Sequence, residues 1–202
     1  MVAQTYNISR EKQDDYAYIS HSRAEKVDNI IASRPCSVFK KKTLRQALKA
    51  GKFASEIIPV EIDGRIISID DTVRPGVTAS SLSALKPVFP QWGPGENLGE
   101  ATTTAGNASG VGDGAALCIL TTRSRAQKEG WDVLGKWVSS SVVGVEPRVM
   151  GVAPVVAVPK LLSSVGLKKE DVDLWEINEA FASQFAYCVE NLGVPMEKVN
   201  PK

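Results

Sequence analysis

The residues of this chain that could do chemistry are few and widely spaced. Asn178 stands where a β-rich run, residues 173–177, turns toward a helix whose face would carry Phe181, Phe185 and Cys188. A strand that turns abruptly into a helix leaves polar groups at the sheet's C-terminal edge, where open α/β sheets place their ligands. The Asn178 amide both donates and accepts, so it could hold a water against a carbonyl oxygen that gains charge during reaction. The same residue suits a helix N-cap, with Glu179 in the first turn answering the helix dipole, and the local sequence favours that cap. Of the other reactive types, Cys36 has Lys40, Lys41 and Lys42 nearby, which would favour its thiolate. No base or oxyanion donor accompanies it, and a solvated loop thiol is the plainer reading. The single histidine, His21, lies between Ser20 and Ser22 beside a helix face and reads as a packing or surface residue. Spacing alone builds no metal cluster around it. In residues 104–110, TAGNASG, small side chains around Ser109 would let a ligand approach the backbone, although a tight turn has the same composition. Arg74-Pro75-Gly76, followed by Thr78 and a serine-rich helix start, suits an anion and equally a solvated turn.

The elements that must position these residues follow from periodicity and punctuation. Ser9 is an N-cap candidate for a helix with Glu11, Asp14 and Asp15 near its positive end; Ala17, Ser20, Ala24, Val27 and Ile31 fall on one face. Residues 30–45, with Pro35 and the lysine run, break the pattern and read as a loop or insertion, and residues 43–50 as a short helix stopped by Gly51. Asp63-Gly64 between the β-rich runs 57–62 and 65–69 predicts a hairpin. Thr78 caps a predicted helix over 79–85, and residues 90–100 have loop composition. The continuous apolar run 115–122 predicts a strand buried on both faces, with Cys118 inert inside it. Ser124 to Gln127 has capping-box spacing for a helix ending at Gly130. Residues 134–145 are β-branched, 154–165 predict a helix ended by Gly166, and 173–177 are β-rich again. Strand and helix alternate, so the expected class is α/β.

Composition sets the outer bounds. The chain has 202 residues, enough for one large or two small domains. Its 24 basic and 23 acidic residues leave a charge of +1, so no nucleic-acid or membrane surface is expected. No charge-free run is long enough to span a bilayer, no N-terminal signal is visible, and the chain reads as soluble. Three widely spaced cysteines, Cys36, Cys118 and Cys188, argue against a disulfide framework. Dinucleotide, P-loop and nucleophile-elbow motifs do not occur.

Taken together, several motifs in register resemble the thiolase family. They are ISREKQDDYAYISHSRA (residues 8–24), DDTVRPGVTASSLSALKPVF (70–89), TTTAGNASGVGDGAA (102–116), VVGVEPRVMGVAP (142–154) and EINEAFASQ (176–184). Within that family the chain is most similar to the peroxisomal-type 3-ketoacyl-CoA thiolases. The resemblance implies a layered αβαβα fold, here incomplete at both ends. Residues 1–100 would be a coenzyme A-binding loop region with an insertion at about 28–45, residues 101–144 the rest of the N-terminal domain, and 145–202 the first part of the C-terminal domain. It implies an acyltransferase of fatty-acid β-oxidation that cleaves 3-oxoacyl-CoA with CoA to acetyl-CoA and a shortened acyl-CoA. The expected partners are acyl-CoA, CoA and a second subunit in a homodimer. CoA is a substrate, and no cofactor is implied. Position by position, Asn178 matches the asparagine that holds an oxyanion-hole water, which raises its site reading above the cap. Ser109 matches the serine at the pantetheine of CoA, and Arg74 the arginine near its nucleotide. Ser81 and Phe89 match CoA-region positions, while Ala180 and Phe181 line the thioester end.

Departures from the family pattern carry their own expectations. The nucleophilic cysteine belongs to a segment that would precede Met1, and the chain stops before the GHP histidine and the CxGGG cysteine. None of Cys36, Cys118 and Cys188 stands in those motifs. Residues 28–45 exceed the family's linker, and GPGENLGE after Trp92 precedes TTTAG as an addition. The chain is therefore expected to be an internal fragment, inactive alone, with exposed sheet edges. The alternatives are a non-catalytic CoA-binding or subunit-associating remnant, or an unrelated interaction domain. Relatives imply the peroxisome, although no targeting signal is present and Pro201-Lys202 is not a peroxisomal C-terminal address.

Overall fold

A computed structural model of the chain describes residues 1–26, 57–68, 74–89 and 101–201. The expectations for Cys36, the insertion at 28–45, the helix at 43–50 and the loop at 90–100 lie outside the described residues. Helix α1 spans Val2–Thr5 and α2 spans Arg10–Lys26. Ser9 caps α2 as expected, its hydroxyl accepting from the Lys12 amide at 3.1 Å. The buried face of α2 is more polar than its apolar spacing predicts. Gln13, Asp14 and Ala17 are buried, whereas Ser20, His21 and Ala24 are half-buried. Polar side chains can occupy that face because each of the two is hydrogen-bonded to another segment, Gln13 to Thr102 and Asp14 to Asn107.

The Asp63-Gly64 hairpin forms, with β1 at Val60–Ile62 and β2 at Arg65–Ile67. Both turn residues take positive φ, +50° and +74°, as a tight primed turn requires. Thr78 caps the short helix α3, Ala79–Ser83, and α4 spans Arg123–Glu129. The cap of α4 is Thr122, not Ser124: the Thr122 hydroxyl accepts from the Arg125 amide at 3.3 Å. A 3₁₀ turn, Pro147–Val152, leads into α5, Ala153–Val165, and α6 spans Ala182–Leu192. Gly130, Gly166 and Gly193 end α4, α5 and α6 in the left-handed conformation that favours glycine. The stretch Pro147–Val165 is long and apolar enough, by composition, to cross a membrane. It is kinked at Val149 and carries Arg148, Pro159 and Lys160, while Val158 and Leu162 pack on protein core.

That core is organised by α6. Phe185, Val189 and Leu192 pack with Trp175, Ile177, Val194 and Val199, and Tyr16 of α2 closes one side edge-on to Phe185. A second cluster joins Ala186 to Ala3 and Ile8, with Tyr6 and Tyr187 stacked 4.0 Å apart between ring centroids. Large apolar side chains buried this way contribute about 1.5–3 kcal/mol each.

Three expectations about strands are corrected. Residues 173–177 form no full strand; Trp175 makes a single parallel bridge to Val199. The Asn200 side chain extends that pairing, accepting from the Ile177 amide at 2.8 Å and donating to its carbonyl at 2.7 Å. Residues 115–122 form neither helix nor strand and are exposed: Leu117 is 103% exposed, and Cys118 is exposed too. The run 134–145 is likewise unpaired, with Leu134, Trp137 and Val142 exposed. An apolar strand is buried only when neighbouring strands cover its edges and faces, and no described strand pairs with either run.

Candidate functional site

The helix at the centre of the site begins later than the sequence suggests. Asn178 is not its cap, because α6 starts at Ala182 with Phe181 in the N-cap position. Phe181 stays extended, φ −141° and ψ 137°, because another segment claims the backbone on either side of it. Ala108 bridges Phe181 in antiparallel fashion, and the Ser109 amide donates to the Ala180 carbonyl at 2.9 Å. The Ala182 amide, free of any intrahelical partner at this position, donates to the Asn107 carbonyl at 2.9 Å. Gln184, three residues into the helix, completes the turn. Its Oε1 accepts from the Phe181 amide at 3.3 Å and its Nε2 donates to the Asn178 carbonyl at 3.1 Å. Gly151 lies against Gln184, where a Cβ would come within 2.6 Å of Cγ.

This arrangement borders a cavity of about 600 Å³. Its floor is Asn178, Ala180, Phe181, Ser183 and Gln184; α1 forms one wall, Val88 and Phe89 with residues 101–103 a second, and Arg148 to Pro154 a third. Val2, Ala3, Val88, Phe89 and Met150 make the walls largely apolar. Phe89 reaches this position in a left-handed backbone conformation, φ +61°, a placement that costs an aromatic residue about 1–3 kcal/mol. Asn178 is exposed at the cavity, and its side-chain amide has no hydrogen-bond partner among the described residues. It also borders a second hollow of about 550 Å³ with Arg23, Glu179 and Asn200.

Four of the sequence-predicted residues, Phe89, Asn178, Ala180 and Phe181, therefore meet on one cavity, and Ser109 is tied to its edge through Ala180. Arg74 and Ser81 do not line it. Arg74 is exposed before the Gly76 turn, and the Ser81 hydroxyl closes the α3 cap, donating to the Thr78 carbonyl at 2.8 Å. Neither described cysteine lines the cavity. Cys188, on α6, is fully buried with its thiol directed at the Gly151 carbonyl, 3.4 Å away. Burial pushes that thiol's pKa up, partly opposed by contacts with Gln184 and the Val155 backbone. His21 is the packing residue its neighbours suggest: Nε2 lies 3.1 Å from the Gly106 carbonyl, which can only accept. An apolar slot with one open amide suits a flexible, mainly aliphatic ligand bearing an oxygen that gains negative charge.

Sequence reasoning missed Gln184, Gly151 and Asn107. Gln184 had a readable signal, since glutamine at the third helical position is half of a capping box. Asn107 had none beyond its small-residue loop.

Two profiles of one family match the chain, the thiolase N-terminal domain over residues 38–124 and the thiolase C-terminal domain over residues 131–202. The chain belongs to the thiolase family. It is 41% identical over 202 residues to the peroxisomal 3-ketoacyl-CoA thiolase of Saccharomyces cerevisiae, covering 100% of this chain and 42% of that protein. It is 43% identical over 209 residues to the peroxisomal 3-ketoacyl-CoA thiolase A of Mus musculus, covering 99% and 43%. Among solved structures, the dimeric peroxisomal thiolase of Saccharomyces cerevisiae superposes with a TM-score of 0.78 at 40% identity, over 99% of this chain and 44% of that one. Human mitochondrial 3-ketoacyl-CoA thiolase in complex with CoA gives 0.74 at 33% identity, over 98% and 43%. The fold is thus the α/β thiolase fold, and the chain spans less than half the length of these thiolases. Membership of the family rules out the unrelated interaction domain.

Proposed function

We propose that this chain supplies the CoA-facing side of a 3-ketoacyl-CoA thiolase site. The reaction is cleavage of 3-oxoacyl-CoA by CoA to acetyl-CoA and a shortened acyl-CoA in fatty-acid β-oxidation. The peroxisome is the proposed compartment, and a homodimer the working form. The observation that carries this reading is the convergence of Phe89, Asn178, Ala180 and Phe181 on one largely apolar cavity with Ser109 fastened at its rim. In it, the open Asn178 amide orients a water toward the thioester or keto oxygen as charge develops there. Ala180 and Phe181 flank the thioester, and Ser109 meets the pantetheine arm. Ser81 and Phe89 belong to the CoA region, and Arg74 reaches the nucleotide end as the ligand extends out of the cavity. CoA is a substrate in this scheme, with no resident cofactor.

Thiolysis further needs a thiolate to take the acyl group and a base to raise it. Neither described cysteine lines the cavity, and His21 is engaged at Gly106. This favours a second reading for the 202-residue polypeptide on its own: CoA binding without turnover. Calorimetric titration with CoA and a thiolysis assay on acetoacetyl-CoA separate the two. Binding that weakens in Ser109→Ala and Phe181→Ala, without loss of acetoacetyl-CoA, is expected. Turnover by the unsubstituted polypeptide would overturn the non-catalytic reading, and absence of binding would overturn both.

A further inference from the structure

The loop that carries Ser109 is held by a relay of polar side chains that starts at the half-buried Arg10 of α2 and passes to the buried Asp14 and Asn107. Arg10 donates to the carbonyls of Leu82 at 2.8 Å and Leu85 at 3.0 Å, and its Nε pairs with Asp14 Oδ2 at 2.8 Å. The other Asp14 oxygen, Oδ1, accepts from Asn107 Nδ2 at 3.0 Å. Asn107, only 3% exposed, spends its remaining side-chain capacity on its own loop. Oδ1 accepts from the Thr104 amide at 2.7 Å, and Nδ2 donates to the Thr102 carbonyl at 3.1 Å. Its backbone carbonyl then holds the Ala182 amide, and two residues on the Ser109 amide holds Ala180.

A carboxylate as buried as Asp14, 6% exposed, is costly unless paired, and an apolar contact would join α2 to the loop without that cost. What the carboxylate adds is direction. An amide with one oxygen and one nitrogen facing fixed partners can take a single orientation, and that orientation sets where residues 107–109 meet residues 180–182. We infer that Asn107, oriented by Asp14 and Arg10, is the positioning residue of the CoA-facing loop. This rests on the CoA-binding reading proposed above.

The test is an exchange of the two groups in the full 202-residue chain. Asn107→Asp sets a carboxylate against Asp14, and Asp14→Asn removes the acceptor that Arg10 orients. The double variant restores one donor and one acceptor in reversed order. Each single variant is expected to weaken CoA binding about tenfold by calorimetry, the loss of one buried hydrogen-bond partner. Both should speed hydrogen exchange at the Ser109 and Ala182 amides while Val189, inside α6, stays protected. The double variant should recover part of both, because it restores the bond between positions 14 and 107 but leaves the Thr102 carbonyl without the donor that Asn107 supplies. Unchanged exchange at Ser109 and Ala182 in the single variants would overturn the positioning role whatever CoA does. Faster exchange with unchanged CoA affinity, or no recovery in the double variant, would reduce Asn107 to general packing and also overturn it. Failure of the unsubstituted chain to bind CoA would overturn the link to CoA, and the exchange data would show whether the loop is held all the same.

Discussion

The core around α6 and the run 115–122 are both rich in apolar residues, yet only the first buries them. Phe185, Val189 and Leu192 are each 3% exposed, while Leu117 and Ile119 are 103% and 82% exposed. The α6 region can close on itself because its partners come from within the chain. A helix satisfies its own backbone, α1 and α2 cover two sides, and the 198–200 turn covers another. A buried strand has no such independence; it needs strands on both edges and layers on both faces. Apolarity states that a segment will be covered, and topology decides by what.

If the contrast is real, damage to the α6 core should be large. Phe185→Ala removes an aromatic ring that fills the space between Tyr16, Trp175 and Val189. A loss of about 3–5 kcal/mol in unfolding free energy by urea titration is expected. A smaller value would mean that the core re-closes around the cavity. Gly151→Ala comes next, because its Cβ would sit 2.6 Å from Gln184 Cγ. A loss of about 1–3 kcal/mol is expected. The displaced Gln184 would release the Asn178 carbonyl and the Phe181 amide, so CoA affinity should fall as well.

The pH dependence of stability offers a third probe of the same core. Burial raises the Cys188 pKa in the folded state, so the native protein holds this proton at pH values where the unfolded chain releases it. The contribution is complete below the ordinary thiol value of about 8.5 and is lost as pH rises through the folded value, by at most about 1.4 kcal/mol per pH unit. Cys188→Ala should flatten this limb. Burial raises Tyr16 too, so a further fall is expected near the ordinary tyrosine range in the variant and the parent alike. A parent whose stability is flat from pH 8 to 10 would contradict the assignment.

How much of this was legible in the sequence follows the same division. The hairpin turn at Asp63-Gly64, the Thr78 and Ser9 caps and the stops at Gly130 and Gly166 were readable because their causes lie within a few residues. The convergence of Phe89 with Asn178 on one cavity was not, since nothing local relates two positions so distant in the chain. It came instead through motif resemblance. The start of α6 was misplaced because Asn178 and Glu179 look like a cap, whereas Asn107, Ala108 and Ser109 hold residues 180–182 from outside. Run 115–122 has the composition of a buried strand, and composition cannot say which strands would flank it.

The smallest effect on stability should come from that run, and it is the one that tests the contrast from the other side. Leu117→Lys and Ile119→Lys alter side chains that touch little, so the unfolding free energy should change by less than about 0.5 kcal/mol. Self-association should respond more. An exposed apolar segment with an unpaired backbone is a template for another chain, and charge on its face opposes that pairing. Sedimentation velocity of the double variant should show less high-mass material than the parent at equal concentration, with the same urea midpoint. A drop in the midpoint comparable to that of Phe185→Ala would mean that the run packs on this chain in solution. The distinction between a self-sufficient core and segments that depend on other strands would then fail at its second term.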